Sequence, residues 1–193
     1  MTRVSKVRRE TLETIVELEL DLDGDGGHTI ETPYPALNHL LGSLVRFSGF
    51  SLSLKARNRV ECDEHHLTED VAIALGEALN KAIGDKKGIC RFGYCLVPMD
   101  EVLTAVSLDL SGRPFFSHNM VFDQTTIGNI GTGMIPHFLR SLSNSSGLTL
   151  HVVMLRNGDA HHVAEAVFKA VGLALKQAVS VTGSTIPSEK GVL

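Results

Sequence analysis

Several features are missing from this chain, and each absence narrows what it can be. No apolar run approaches the roughly 20 residues needed to cross a bilayer. The opening residues, Met1 to Glu10, hold no apolar stretch of a signal peptide. Positive charge is not in excess: 18 Lys and Arg stand against 22 Asp and Glu, a formal net charge of −4. That argues against a general nucleic-acid binder, and any anion must be held by a local group of cations. The three cysteines, Cys62, Cys90 and Cys95, are odd in number and lack CxxC spacing. They read as reduced thiols of a cytoplasmic protein. No linker or low-complexity stretch divides the 193 residues, a length that holds one domain or two small ones. The expectation is a soluble, cytoplasmic protein with neither membrane nor nucleic acid as partner.

What the chain does have, it has twice. Asp63-Glu64-His65-His66-Leu67-Thr68-Glu69 returns 96 residues later as Asp159-Ala160-His161-His162-Val163-Ala164-Glu165. Residues 63–83 and 159–179 share ten of 21 positions, and His39 to Leu52 shares seven of 14 with His137 to Leu150. This is an internal duplication whose best-kept polar residues are histidine and glutamate.

The local patterns give the same order of elements in each half. Residues 3–9 and 13–21 alternate polar and apolar, as half-buried strands do. Asp23-Gly24-Asp25-Gly26-Gly27 reads as a turn, and its spacing before a strand at His28 to Glu31 predicts a hairpin. Pro33 and Pro35 lead into a helix over 36–47, ended by Gly49. A strand over 50–56 and a helix over 64–83, capped by Asp63, complete the half. The second half predicts strands over 93–97, 102–110 and 115–122, a helix over 135–143, a strand over 148–155 and a last helix from Asp159 to about 181. The expected fold is α+β. Two βββαβα half-domains, 1–92 and 93–193, each form a four-stranded sheet with two helices on one face. They pack about a pseudo-two-fold axis as one compact unit.

On a helix His65 and Glu69 are four apart and share a face, so they can chelate one ion. His66 is turned by about 100° from His65, so neighbouring histidines cannot easily grip the same metal. Each helix then serves two ions. His39, His65, His66, Glu69, His137, His161, His162 and Glu165 supply six imidazoles and two carboxylates, evenly two sites of three histidines and one glutamate. The bland reading, solvated residues at a helix start, suits one such pair better than two matched pairs with a matched histidine upstream. The donor mix suits Mn²⁺, Fe²⁺, Zn²⁺, Co²⁺ or Ni²⁺, and affinity order alone does not choose. His28 and His118 read as surface residues, and His151 aligns with Ser53, outside the duplicated set. A second group is not symmetric: Arg91, Arg113, Lys169, Ser188 and Lys190 place cations or a hydroxyl near turns and the chain end. A phosphate needs such a mixed set, although each residue alone is better explained as solvated surface than as a ligand contact.

These residues carry a family resemblance. The chain resembles imidazoleglycerol-phosphate dehydratases of histidine biosynthesis over nearly its whole length. The match runs through Arg9-Glu10-Thr11-Leu12-Glu13-Thr14, Asn38-His39, the Asp63 to Asp70 run, Arg91-Phe92-Gly93 and Pro98-Met99-Asp100-Glu101. It continues through Leu108 to Pro114, Pro136-His137-Phe138, His161 to Lys169 and Ser188-Glu189-Lys190-Gly191. The resemblance implies dehydration of D-erythro-1-(imidazol-4-yl)glycerol 3-phosphate to 3-(imidazol-4-yl)-2-oxopropyl phosphate, through a metal-bound imidazolate. It implies two Mn²⁺ per active site on the eight ligands, of which His65, Glu69, His161 and Glu165 also count as catalytic. Arg91, Arg113, Ser188 and Lys190, with Lys169 nearby, match the phosphate binders. Glu13 matches a carboxylate at the substrate's glycerol that would shuttle the proton. Self-association as a 24-subunit shell with metals between subunits is also implied. The same two metals could instead serve a phosphoesterase, or merely cement a non-catalytic shell. Where the family has Gly-Phe-Leu-Asp-His-Met-Leu-Asp-Gln, this chain reads Pro35 to Ser43. Ser43 then lacks a usual substrate contact, and Asn38 should leave His39 without a charged partner and so a weaker ligand. Glu189 replaces a threonine, with its side chain expected to point away from the phosphate.

Overall fold

The computed structural model describes residues 3–193. β1 (Val4–Glu10) and β2 (Thr14–Asp21) pair antiparallel, and β2 pairs antiparallel with β4 (Ser51–Asn58). β3 (His28–Glu31) lies parallel on the other edge of β4, giving the order β1-β2-β4-β3. The alternation sets the inner face: Val16, Leu18 and Leu20 stand opposite Ala56, Leu54 and Leu52, all buried. The expected β2–β3 hairpin does not form. The Asp23–Gly27 stretch does turn, with Asp25 Oδ1 accepting from Gly27 N at 2.9 Å. However, β2's free edge is taken by β4, whose three apolar residues match it, so the short and largely exposed β3 crosses to the far edge.

The second half repeats the plan. β5 (Phe92–Met99), β6 (Val102–Asp109), β10 (Thr149–Arg156) and β7 (Phe115–His118) form a sheet in the order β5-β6-β10-β7, again with a parallel last pair. The strand expected over 115–122 stops at His118. There the amide of Asn119 takes both backbone groups of Met154, donating to its carbonyl at 3.2 Å and accepting from its N–H at 2.6 Å. A side chain so replaces the ladder and ends it. The glycine-rich connection beyond forms a small hairpin, β8 (Thr126–Ile127) and β9 (Ile130–Gly131).

The helices are α1 (Pro35–Ser48), α2 (Glu64–Ile83), α3 (Met134–Ser146) and α4 (Ala160–Val179). Each sheet carries the two helices of its own half. Across halves α1 packs on α4 and α2 on α3, so the helices lie inside and the sheets outside. One apolar core runs through both halves, with Phe138 and Phe168 meeting at 5.3 Å between ring centroids. The duplicated glycines allow this crossing. A Cβ on Gly172 of α4 would stand 2.4 Å from the Leu44 carbonyl oxygen of α1, and one on Gly76 of α2 would stand 2.9 Å from that of Leu142 on α3.

Backbone cannot yield as a side chain can, so Gly172→Ala should destabilise the fold. Overpacking costs about 1–3 kcal/mol, against about 1 kcal/mol regained in helix propensity. Gly133→Ala, at a φ of −60° with open space around the position, should leave stability within about 0.5 kcal/mol of the parent. Urea midpoints of the two variants check this, and equal effects would contradict it.

Candidate active site

The starts of the four helices bring the duplicated histidines together. Asp63 caps α2 through the His65 N–H at 2.9 Å, and Asp159 caps α4 through those of His161 and His162 at 2.8 and 3.4 Å. Behind the first turn of α2, buried Asp70 accepts from Arg9 Nε at 2.6 Å and from the Thr14 hydroxyl, which locks the helix to β1 and β2. The β8–β9 hairpin fastens the halves at the same end, with Gly131 N donating to Glu64 Oε1 at 3.2 Å.

Two clusters result, each joining residues from both halves. On one side His39 of α1 and His161 of α4 both place Nε2 3.1 Å from Glu165 Oε2, and their rings stack 5.4 Å apart. On the other, His137 of α3 puts Nε2 3.4 Å from Glu69 Oε1 of α2, with His65 4.4 Å away between ring centroids. Within each cluster the ligand-type atoms all lie within 4.8 Å of one another. His137 Nε2 is buried and makes no hydrogen bond: the 3.4 Å approach to Glu69 is near enough for charge but poorly aligned. Such an orphaned nitrogen is what a cation ligand looks like without its ion.

Six of the eight expected ligands therefore converge, and His66 and His162 do not join them. Each of these second histidines is turned onto a glutamate in the loop between the first two strands of its half. His66 Nδ1 lies 3.1 Å from Glu13 Oε2, and His162 Nδ1 lies 3.1 Å from Glu101 Oε2. Glu13 and Glu101 are structural counterparts, each directly preceding the second strand of its sheet. Glu101 also accepts from Asp159 N at 2.7 Å, and Asp100 approaches His162 Nε2 at 3.6 Å. The hydrogen bond to Glu101 raises the His162 pKa. Sequence reasoning gave Glu101 no role. The two strand pairs correspond at an offset of 88, whereas the helices that revealed the repeat correspond at 96 and 98.

Burial pushes the Glu165 carboxyl upward, but hydrogen bonds from Lys169 and His39, with their charges, outweigh it and hold the pKa at about 2. Lys169 Nζ sits 2.8 Å from Glu165 Oε1, so the structure puts this lysine beside a histidine cluster and not with the arginines. An open depression of about 530 Å³ adjoins it, lined by Asn38, His39, Ser43, Arg46 and Lys169 among others. The Asn38 amide bonds Thr32, accepting from the hydroxyl at 2.7 Å and donating to the carbonyl at 3.3 Å.

The cations collect at the other end of the helices. Arg91 makes a forked pair with Asp109 at 2.7 and 3.0 Å and donates to the Pro187 carbonyl at 2.8 Å, which holds the tail bearing Ser188 and Lys190. Arg113 lies 3.8 Å from the same carboxylate. Arg91 N donates to Ala178 O in the last turn of α4, 17 residues beyond His161. That is about 26 Å at 1.5 Å per residue, far longer than one small phosphate ester. Glu189 is exposed.

Fold and clusters together define a duplicated α+β enzyme of the histidine–carboxylate kind. A family model described as imidazoleglycerol-phosphate dehydratase matches residues 32–175. The chain belongs to the imidazoleglycerol-phosphate dehydratase family, and is thereby a hydro-lyase of histidine biosynthesis. It is 46% identical over 193 residues to the enzyme of Caldivirga maquilingensis, covering all of both chains. It is 44% identical to a chloroplastic enzyme of Arabidopsis thaliana, over 99% of this chain and 72% of that one. The solved structure from Staphylococcus aureus superposes with a TM-score of 0.84 at 34% identity, over 93% of this chain and 99% of that one. The one from Pyrococcus furiosus, in complex with (S)-C348, gives 0.83 at 31%, over 97% and 100%.

Because the folded Glu165 carboxyl lies below its ordinary value of 4.5, it stabilises the fold above that pH and ceases to as pH falls toward 2. In metal-free buffer the parent should lose on the order of 2 kcal/mol more than Glu165→Gln between pH 5 and 2.5. Chemical denaturation at each pH measures this. Parallel pH profiles would contradict the pairing.

Proposed function

We propose that the enzyme dehydrates D-erythro-1-(imidazol-4-yl)glycerol 3-phosphate to 3-(imidazol-4-yl)-2-oxopropyl phosphate with the help of two divalent ions, Mn²⁺ foremost, held by the histidine clusters. The observation that carries this reading is the convergence of two imidazoles and a carboxylate in each cluster, ligand atoms within 4.8 Å. The buried, unpaired His137 Nε2 fits a cation, and the Glu165 carboxyl at about 2 is ready as an anion. His39, His161 and Glu165 would hold one ion, and His65, Glu69 and His137 the other. When bound, such ions would supply Lewis acidity that favours loss of the substrate's ring N–H proton, and the deprotonated ring is the better electron donor.

The reaction removes a hydroxyl from the carbon beside the imidazole and a barely acidic proton from the next carbon. The enol left behind tautomerises to the ketone. Glu13 takes the proton and returns it. Its place beside His66, 3.1 Å from Nδ1, supports that role because it sets a carboxylate on the histidine face. Glu101, hydrogen-bonded to Nδ1, also fixes which nitrogen of His162 is presented outward. Arg91, Arg113, Ser188 and Lys190 grip the phosphate and keep the reacting carbons in register. Lys169 keeps Glu165 ionised and lines the adjoining depression.

A substrate this small cannot bridge about 26 Å within one chain. The active site is therefore assembled between copies: clusters from one chain, the arginine end from another, and His66 and His162 completing clusters of neighbours. The exposed Phe92, Tyr94, Leu96, Phe115, Val153 and Leu155 on the outer face of the second sheet support self-association, for which we favour the 24-subunit shell. The three cysteines are free, and no described helix is long and apolar enough to span a membrane, which supports action in the cytoplasm.

Chelation should abolish keto-product formation from the substrate, and added Mn²⁺ should restore it. Glu165→Gln should bind about one divalent ion per chain in place of two and lose at least about a hundredfold in kcat. Metal analysis alongside the assay checks both, and full metal content with full activity in that variant would contradict the assignment.

A further inference from the structure

The cation cluster contains a member that the reading above does not use. Lys86 lies just beyond α2, is only 8% exposed and has a left-handed backbone at φ 61°. Its ammonium reaches the Ser111–Gly112–Arg113 turn, where a Cβ on Gly112 would stand 3.4 Å from Nζ. Among the described residues it makes no hydrogen bond and no ion pair. Asp109 is the one carboxylate that acts on it, and Arg91 already occupies both its oxygens at 2.7 and 3.0 Å. Burial lowers the Lys86 pKa, Asp109 pushes back, and Arg91 and Arg113 lower it further.

A lysine whose stem is buried and whose solvent-touching ammonium shares one carboxylate with two guanidiniums is unfavourably placed in the free protein. A doubly charged anion placed there would add an attraction to each of the three cations and so offset their mutual repulsion. The same Gly112 Cβ position lies 3.6 Å from the carbonyl carbon of the C-terminal Leu193, so the space beside Nζ is bounded by the chain's end and not by a side chain. We infer that Lys86 is a further binding residue for the substrate's phosphate, forming a three-cation cradle with Arg91 and Arg113. This inference rests on the proposed phosphate role of the arginine end. It adds a charged donor that neither the repeat nor the resemblance singled out.

The test uses the full assembled enzyme and the variants Lys86→Met and Lys86→Arg. Lys86→Met should raise KM about tenfold or more, since a charge-assisted hydrogen bond is lost, while kcat changes less than about twofold. The competitive inhibition constant of inorganic phosphate should rise by the same factor, and Lys86→Arg should recover most of both. In phosphate-free buffer the melting temperature of Lys86→Met should hold or rise, because an unpartnered charge is gone. Unchanged KM and phosphate inhibition would overturn the inference. So would a lowered melting temperature or failed assembly in both variants, which would make Lys86 a structural ammonium. Calorimetric titration with inorganic phosphate separates this from the underlying reading. Lys86-dependent phosphate binding without any dehydratase turnover would sink the proposed reaction and leave the cradle standing.

Discussion

Adjacent residues on a helix point about 100° apart, and most of this protein's organisation follows from that constraint. Two neighbouring histidines at the start of α2 or α4 cannot serve one centre. The first of each pair joins the glutamate one turn later, and the second is turned onto a loop carboxylate, Glu13 or Glu101. One short motif so supplies a converging cluster and an outward-facing imidazole. Used twice, it gives a chain that carries its candidate ligands in matched halves; in the proposed reading the site is complete only beside other copies.

The clusters also need a partner helix, and the fold provides it by crossing the halves. Close approach at Gly76 and Gly172 sets α3 on α2 and α1 on α4, which carries His137 to Glu69 and His39 to Glu165. Local capping, the Arg9–Asp70 pair and the β8–β9 hairpin hold the helix starts still. At the far end, where α2 and α4 stop, the chain gathers Lys86, Arg91 and Arg113 around one aspartate. The histidine–carboxylate clusters and the cation cluster thus occupy opposite ends of the same helices, which keeps cations other than Lys169 away from Glu165 and Glu69.

Much of this was legible in the sequence because it is local. Periodicity located the helices, and the spacing of His65 and Glu69 on one face required nothing beyond helix geometry. The strand order was not legible: whether β3 returns to β2 or crosses to β4 depends on which edge finds a matching apolar row, a non-local competition. Glu101 escaped notice because the long β7–α3 connection shifts the strand pairs out of step with the helices, leaving few identities to align. Nothing in the pattern around Lys86 marks it in the sequence; its burial in the fold does.

The central claim is that one active site draws on more than one chain. Subunit complementation tests it most directly: Glu165→Gln, damaged at a cluster, and Arg113→Met, damaged at the cation end, are each inactive alone, then dissociated, mixed in equal amounts and reassembled. If clusters and cations of a site come from different copies, about a quarter of the sites in the mixture escape both lesions, and activity returns to about that fraction. If each chain holds a complete site, every site carries one lesion and the mixture stays as inactive as its parts.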